Sequence, residues 1–124
     1  MSSPISIVGS PKVYTVTIAA SASQSSEIEL QGQINGFAIE MPNAWDTAGI
    51  TFLGSHTAGG TYKKIVGDTG TELSVTAATN EMIAIDTATK AQALKAFKYI
   101  KVRSGTVASP VVQTAERILY LITK

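Results

Sequence analysis

Apolar and polar residues alternate along most of the chain, and this period of two predicts β-strands. Tyr14, Val16 and Ile18 alternate with threonines, and Ile28 and Leu30 alternate with acidic and amide side chains. Successive side chains of a strand point to opposite faces, so the alternation indicates strands with one buried and one exposed face. Regular structure therefore begins early in the chain, and it begins as β-structure.

Seven further segments carry strand signatures, and residues that favour turns separate them. The separators include Asn-Gly at 35–36, Gly-Gly at 59–60 and Gly-Asp-Thr-Gly at 67–70, which tolerate positive φ or bond to their own backbone. Strands at intervals of about 8 to 12 residues predict an all-β, antiparallel β-sandwich, with hairpins as the expected connections. The predicted strands cover 36–41, 50–55, 61–66, 72–76, 82–86, 98–104 and 114–123.

Two segments depart from this alternation. Residues 86–97 have an alanine-rich interior, Asp86 or Thr87 as a cap, and Leu94 and Phe97 on one face, which together predict one short helix that closes one end of the sandwich. Residues 1–11 contain two prolines and no sustained alternation, which predicts an extended N-terminal arm. The remaining residues, 12–124, are expected to form a single β-sandwich domain.

Charge and composition limit the kinds of partner. Ten Lys plus Arg against nine Asp plus Glu leave a net charge of +1, so no strong field would attract nucleic acid or an acidic membrane. No segment has the length of a membrane span, and a cytosolic site of synthesis is the expectation. Only 15% of the residues are charged, which suggests that another protein covers part of the surface. We therefore expect a partner that is recognised by shape.

Catalytic and metal-binding residues are scarce. The chain has no cysteine, and its single histidine, His56, lies in a predicted hairpin loop without a second ligand nearby. No Gly-x-Ser-x-Gly motif is present, and the carboxylates are dispersed over predicted outer strand faces. We therefore expect no catalytic residues, no metal and no cofactor, and a protein that is not an enzyme. A pair of carboxylates across a cleft, as in glycosidases, remains an alternative.

Three larger side chains each have a structural and a ligand-binding interpretation. Trp45 follows a predicted strand in the sequence Met-Pro-Asn-Ala-Trp-Asp, where its indole could cap the core or face a ligand, and the core is favoured because large aromatics are mostly buried. Arg103 and Arg117 stand at the ends of predicted strands. Arginine can hold a ligand carboxylate in a fork, but at such positions it more often pairs with a local acid or a loop carbonyl.

The segment between the last two predicted strands contains small residues, one glycine and one proline. Such a composition suits an exposed connection between neighbouring strands at the edge of a sandwich. We expect this loop to turn the chain and to contact a partner. The residues predicted for this contact are Ser104, Gly105, Thr106, Ser109 and Pro110.

Four stretches together resemble small β-sandwich structural proteins of tailed bacteriophage virions. They are SEIELQGQINGFAIEMPNAWDTAGITFLGSH at 26–56, GGTYKKI at 59–65, FKYIKVRSGT at 97–106 and SPVVQTAERILYL at 109–121. The resemblance implies a virion protein without catalytic residues that decorates or cements the capsid surface or occupies another accessory position. It implies contacts with the major capsid protein or other virion proteins, and a homo-oligomer or symmetric array.

A second likeness concerns the fold. FKYIKVR at 97–103 resembles a strand of discoidin-like, galactose-binding-like jelly rolls, which implies a jelly-roll-like sandwich. The helix predicted over 86–97 would be the one short helix of that sandwich. Two alternatives to the virion protein therefore stay open. A carbohydrate-binding β-sandwich module would be favoured if Trp45 and Tyr62 lay side by side in solvent. A glycan-cleaving enzyme would need two carboxylates facing each other across a cleft.

Overall fold

The computed structural model describes residues 11–32, 34–85 and 88–124; of residues 88 and 89 it describes the backbone alone. In these ranges the chain forms nine β-strands and one α-helix. The strands are β1 (Lys12–Ile18), β2 (Ile28–Glu29), β3 (Phe37–Glu40), β4 (Ile50–Ser55), β5 (Lys63–Lys64), β6 (Ser74–Val75), β7 (Met82–Ile85), β8 (Tyr99–Ser104) and β9 (Arg117–Thr123), and the helix α1 (Ala88–Lys95) lies between β7 and β8.

The strands form two antiparallel sheets. Sheet A has the order β1-β9-β3-β7, and sheet B has the order β2-β8-β4-β5, with β6 paired to β4 beside β5. Consecutive strands mostly cross from one sheet to the other, and only β4, β5 and β6 follow each other within one sheet. This alternation gives the strand order of a jelly roll. The predicted all-β, jelly-roll-like sandwich with one short helix is confirmed. The expectation that hairpins connect the strands is wrong for most of the connections.

One hydrophobic core fills the space between the sheets. The inward phase of sheet B contains Ile50, Phe52, Ile100 and Val102, and that of sheet A includes Leu121, all of them buried. The alternation seen in the sequence therefore sets which side chains enter the core. The core also takes in the following residues: Val16, Ile18, Ile28, Leu30, Phe37, Ile39, Met41, Trp45, Ile65, Leu73, Val75, Ile85, Leu94 and Leu119.

Three predicted strands lose three or more residues in the structure. The strand expected over 61–66 pairs only at Lys63–Lys64, and that over 72–76 only at Ser74–Val75. The strand expected over 114–123 begins at Arg117, because the backbone N–H of Thr114 donates to the Asp46 carboxylate instead of to a neighbouring strand. In this last strand, a side-chain contact thus replaces strand pairing at Thr114.

The helix packs at the end of the sandwich opposite the β8–β9 connection. Leu94 is fully buried, and the Phe97 ring lies so close to Gly54 that a Cβ there would approach Phe97 Cδ1 to 2.7 Å. A side chain at position 54 would therefore displace the segment that follows α1. The predicted helix caps, Asp86 and Thr87, and the predicted arm up to residue 10 lie outside the described residues.

Candidate functional site

Three chain connections meet at one end of the sandwich, and backbone hydrogen bonds join them. In the β1–β2 connection, the Ser21 N–H donates to the Gln113 carbonyl at 2.8 Å, and the Gln113 N–H donates to the Ala22 carbonyl at 3.0 Å. The Gly105 N–H donates to the Gly49 carbonyl of the β3–β4 connection at 2.8 Å. This end of the fold brings together the residues predicted from the sequence for partner contact or for a ligand-binding or structural role: Trp45, Arg103, Ser104, Gly105, Thr106, Ser109, Pro110 and Arg117.

Arg103 belongs to the outer side of β8, yet its surface is only 4% exposed. Its Nη2 donates to Glu72 Oε2 at 2.5 Å, and its Nε donates to Thr51 Oγ1 at 3.1 Å. The Thr51 hydroxyl donates in turn to the Gly105 carbonyl at 2.7 Å. The guanidinium is thus held by a carboxylate of its own chain, and these contacts favour the structural interpretation of Arg103.

The same carboxylate reaches the exposed loop between β8 and β9. Both Oε1 and Oε2 of Glu72 accept a hydrogen bond from the Val107 N–H at 3.3 Å. Within the loop, the Ser109 N–H donates to Thr106 Oγ1 at 3.0 Å, and the Thr106 N–H donates to the Ser109 carbonyl at 3.2 Å. The largely buried Arg103–Glu72 pair therefore anchors a loop whose side chains face solvent.

Arg117 pairs with Asp46, which follows Trp45 in the β3–β4 connection. The Arg117 Nη2 donates to Asp46 Oδ1 at 2.6 Å, and the same oxygen accepts from the Thr114 N–H at 3.2 Å and the Thr114 hydroxyl at 3.1 Å. The hydrogen bond from Arg117, together with those from Thr114, holds the pKa of the Asp46 carboxyl below its ordinary value of 3.8. This pair too favours the structural interpretation of Arg117.

Gln113 joins Asp46 and Arg117 to Ser104 of β8, and sequence reasoning missed it. Its side chain is fully buried. Its Oε1 accepts from the Asp46 N–H at 2.8 Å and from Arg117 Nε at 3.1 Å, and its Nε2 donates to the Asp46 carbonyl at 3.1 Å and to Ser104 Oγ at 2.7 Å. The amide thereby uses two acceptor and two donor positions, which is its full capacity. The one signal in the sequence is an amide that directly follows two valines.

Trp45 is part of the core and not of the surface. It is 9% exposed, and its indole N–H donates to the Ala48 carbonyl at 3.1 Å. The condition that would favour a carbohydrate module, Trp45 and Tyr62 side by side in solvent, is therefore not met. The capping interpretation agrees with this position.

The predicted contact loop is only partly on the surface. Ser104 is fully buried because it is the last residue of β8 and shares the inward phase of Ile100 and Val102. Gly105 is also buried, has φ +90°, and leaves no room for a Cβ, which would lie 2.5 Å from the Ser109 carbonyl oxygen. Ser104 and Gly105 are therefore corrected to interior residues. The predicted residues that do lie on the surface are Thr106, Ser109 and Pro110.

A second polar cluster lies on the outer side of sheet B and was not found from the sequence. The Tyr62 hydroxyl and the Gly59 N–H both donate to Glu27 Oε2, the latter at 2.8 Å, and the Lys101 ammonium lies 4.6 Å from the centre of the Tyr62 ring. Burial and the hydrogen bond to Glu27 raise the pKa of Tyr62, and the same bond holds the pKa of Glu27 low. The cluster fastens the segment after β4 across the sheet.

The other sequence candidates remain apart from this end. His56 is exposed in the β4–β5 connection. Among the residues that the structure describes, no group of three or more acidic, histidine or cysteine side chains is placed to bind a metal. No helix in the described ranges is long and apolar enough to cross a membrane. Every buried side-chain nitrogen and oxygen in those ranges has a hydrogen-bond partner. At the β8–β9 end, Arg103, Glu72 and Gln113 all bond to groups of their own chain, so the arrangement there is suited to holding a surface loop in place.

The fold and this end of it define a jelly-roll-like antiparallel β-sandwich with braced connections. The SPBc2 prophage-derived protein YomS has a similar fold: its crystal structure superposes with a TM-score of 0.52 at 17% sequence identity, over 91% of this chain and 93% of that one. At this identity the similarity concerns the fold alone. No protein-family model matches the sequence, and no curated protein matches it.

Proposed function

We propose that this protein is a non-enzymatic structural protein of a tailed-bacteriophage virion. It decorates or cements the capsid, or occupies another accessory position, and it acts by contact with the major capsid protein or other virion proteins. Its site of action is the virion, after synthesis in the host cytoplasm. The contact surface is the loop 106–112, which we call the braced loop.

The observation that carries the proposal is that the braced loop has exposed apolar side chains and is anchored by buried residues on both sides of it. Val107 is 48% and Val112 53% exposed, whereas the adjoining Ser104 and Gln113 are fully buried. A loop that is ordered before binding loses little conformational entropy when a partner covers it. Exposed valines on an anchored loop therefore favour a protein–protein contact.

Two further features support a virion protein. The chain carries few charges and almost no net charge, which fits a surface that other proteins cover in an assembly. The similar fold of a prophage-derived protein agrees with the sequence resemblance to virion proteins. The carbohydrate-binding alternative lacks its aromatic platform, because Trp45 is in the core and the Tyr62 hydroxyl is bonded to Glu27.

The test is to count copies of this chain in purified particles of the phage that encodes it. Particles are separated on a density gradient, and the chain is quantified by mass spectrometry relative to the major capsid protein. The proposal predicts a fixed ratio that survives repeated purification, and antibody labelling of the particle surface in negative-stain images. A ratio that falls towards zero with each purification step would contradict it.

A further inference from the structure

The outer face of sheet A differs from a solvent-facing sheet surface. In β1, β9, β3 and β7, the residues that alternate with the core residues point away from the core. Directly opposed pairs such as Val13 with Ile122 and Glu40 with Tyr120 make these side chains one continuous surface. We call this surface the sheet A outer face. It consists of Val13, Thr15, Thr17, Ala38, Glu40, Met82, Ala84, Ile118, Tyr120 and Ile122.

Among the described residues, this face is apolar, open and almost without charge. Met82 is 63%, Val13 62%, Ile118 41% and Tyr120 37% exposed. Glu40 is the one charged residue among the ten. An antiparallel sheet with one face in water usually alternates apolar residues inside with polar ones outside. A contiguous exposed apolar patch of this kind marks an interaction site.

The outer side of sheet B provides the contrast within the same molecule. There Arg103 is covered by Glu72, and Tyr62 lies beside Lys101 and bonds to Glu27. Sheet B therefore covers its outer face with side chains of its own chain. In the described residues, Met82, Val13 and their neighbours on sheet A have no such cover.

We propose that the sheet A outer face binds the same face of a second copy of this chain. Its ten residues offer roughly 600 Å² per copy, so a pair would bury roughly 1,200 Å² in total, the lower end of the range for stable specific interfaces. A face with a single carboxylate offers no charge pattern to a charged partner, whereas two apolar sheet faces pack well at about 10 Å. A two-fold pair needs only that one patch be complementary to itself.

This inference deepens the proposed function, because it names the surface through which copies join before or while they occupy a particle. It separates the chain into two contact regions: the sheet A outer face for another copy, and the braced loop for a different virion protein. The two regions are carried by different residues, so they can be tested independently.

The experiment measures the molecular mass of the full-length chain in solution over a wide range of concentration by sedimentation equilibrium. It compares the parent with Tyr120→Lys and Met82→Lys on the face and with Val107→Lys as the control. All three positions are exposed, and all three variants introduce the same charge. Circular dichroism melting curves identify any variant that fails to fold. Two face variants are used so that one misfolded protein does not decide the result.

The expected result is a parent and a Val107→Lys variant that form dimers, and folded face variants whose dissociation constant is at least tenfold higher. A parent that remains monomeric at the highest concentration overturns the proposal, and this includes the case in which residues 1–10 of the same chain cover the face. Dimers that persist in both face variants, or that Val107→Lys abolishes, overturn it as well. Because no particle is involved, a negative result leaves the copy-number test of the virion role unaffected.

Discussion

Replacement of Gln113 by methionine tests whether the buried amide holds the β8–β9 end together. Methionine has a similar volume and fills the same space, so the change removes hydrogen bonds and creates little cavity. The variant leaves the Asp46 N–H and carbonyl, Ser104 Oγ and Arg117 Nε without the partner that Gln113 provides. The loss therefore falls on four polar groups at once.

The magnitude follows from the burial of those four groups. A hydrogen bond contributes about 0.5–1.5 kcal/mol net, and a buried group left unpaired costs about 1–3 kcal/mol. The Ser104 hydroxyl is fully buried, whereas Asp46 and Arg117 are half-buried and can recover part of their loss from water. We therefore expect Gln113→Met to lower the free energy of unfolding by roughly 3–4 kcal/mol.

The assay is urea unfolding at neutral pH, followed by circular dichroism and extrapolated to water. Gln31→Met is the matched control because Gln31 is exposed, and its cost should stay within about 0.5 kcal/mol. A cost for Gln113→Met below about 1 kcal/mol would refute the reasoning, since it would mean that the amide network adds no net stability.

Three further predictions use the same unfolding measurement. Gly105→Ala should cost more than about 3 kcal/mol, because this residue has φ +90° and the added Cβ would lie 2.5 Å from a carbonyl oxygen. Gly59→Ala should cost about 1 kcal/mol, because this residue has φ +65° but its Cβ would enter open space. Equal costs would contradict this. The low pKa of Asp46 means that its contribution to the free energy of unfolding is present above about pH 4 and is lost as the pH falls through the folded pKa. The difference in free energy of unfolding between the parent and Asp46→Asn should therefore narrow between pH 6 and pH 3. A difference that stays constant would count against this. Ile100→Ala should cost roughly 2–4 kcal/mol and Ile118→Ala under about 1 kcal/mol, because only the first is buried, and the reverse order would refute the assigned strand phase.

Alternation was sufficient to predict the sandwich because it reports directly on which side chains enter the core. The strand predicted over 50–55 matches β4 in both of its ends. Alternation could not predict which sheet each strand joins, because crossing between sheets and turning in a hairpin both require only a polar connection. The expectation of hairpins failed for that reason.

For the candidate site, the sequence could predict the role of some side chains but not their partners. The structural interpretations of Arg103 and Arg117 could be weighed from the sequence, because strand-end arginines usually find a local acid. Their partners could not be found, since Glu72 and Asp46 are distant along the chain and become neighbours only after folding. Gln113 was missed because a buried glutamine looks like a loop residue until its partners are known. Ser104 was placed in the loop because serine is small and polar, although its inward phase in β8 buries it.

Particle occupancy tests whether the braced loop is the surface by which this protein attaches to a virion. Particles are assembled with the parent, with Val107→Lys, and with Val66→Lys, an exposed valine outside the braced loop that serves as the control. The chain is then quantified in gradient-purified particles. We expect Val107→Lys to lower the copy number at least tenfold and Val66→Lys to leave it at the parent level. Parent-level occupancy of a folded Val107→Lys variant would contradict the claim.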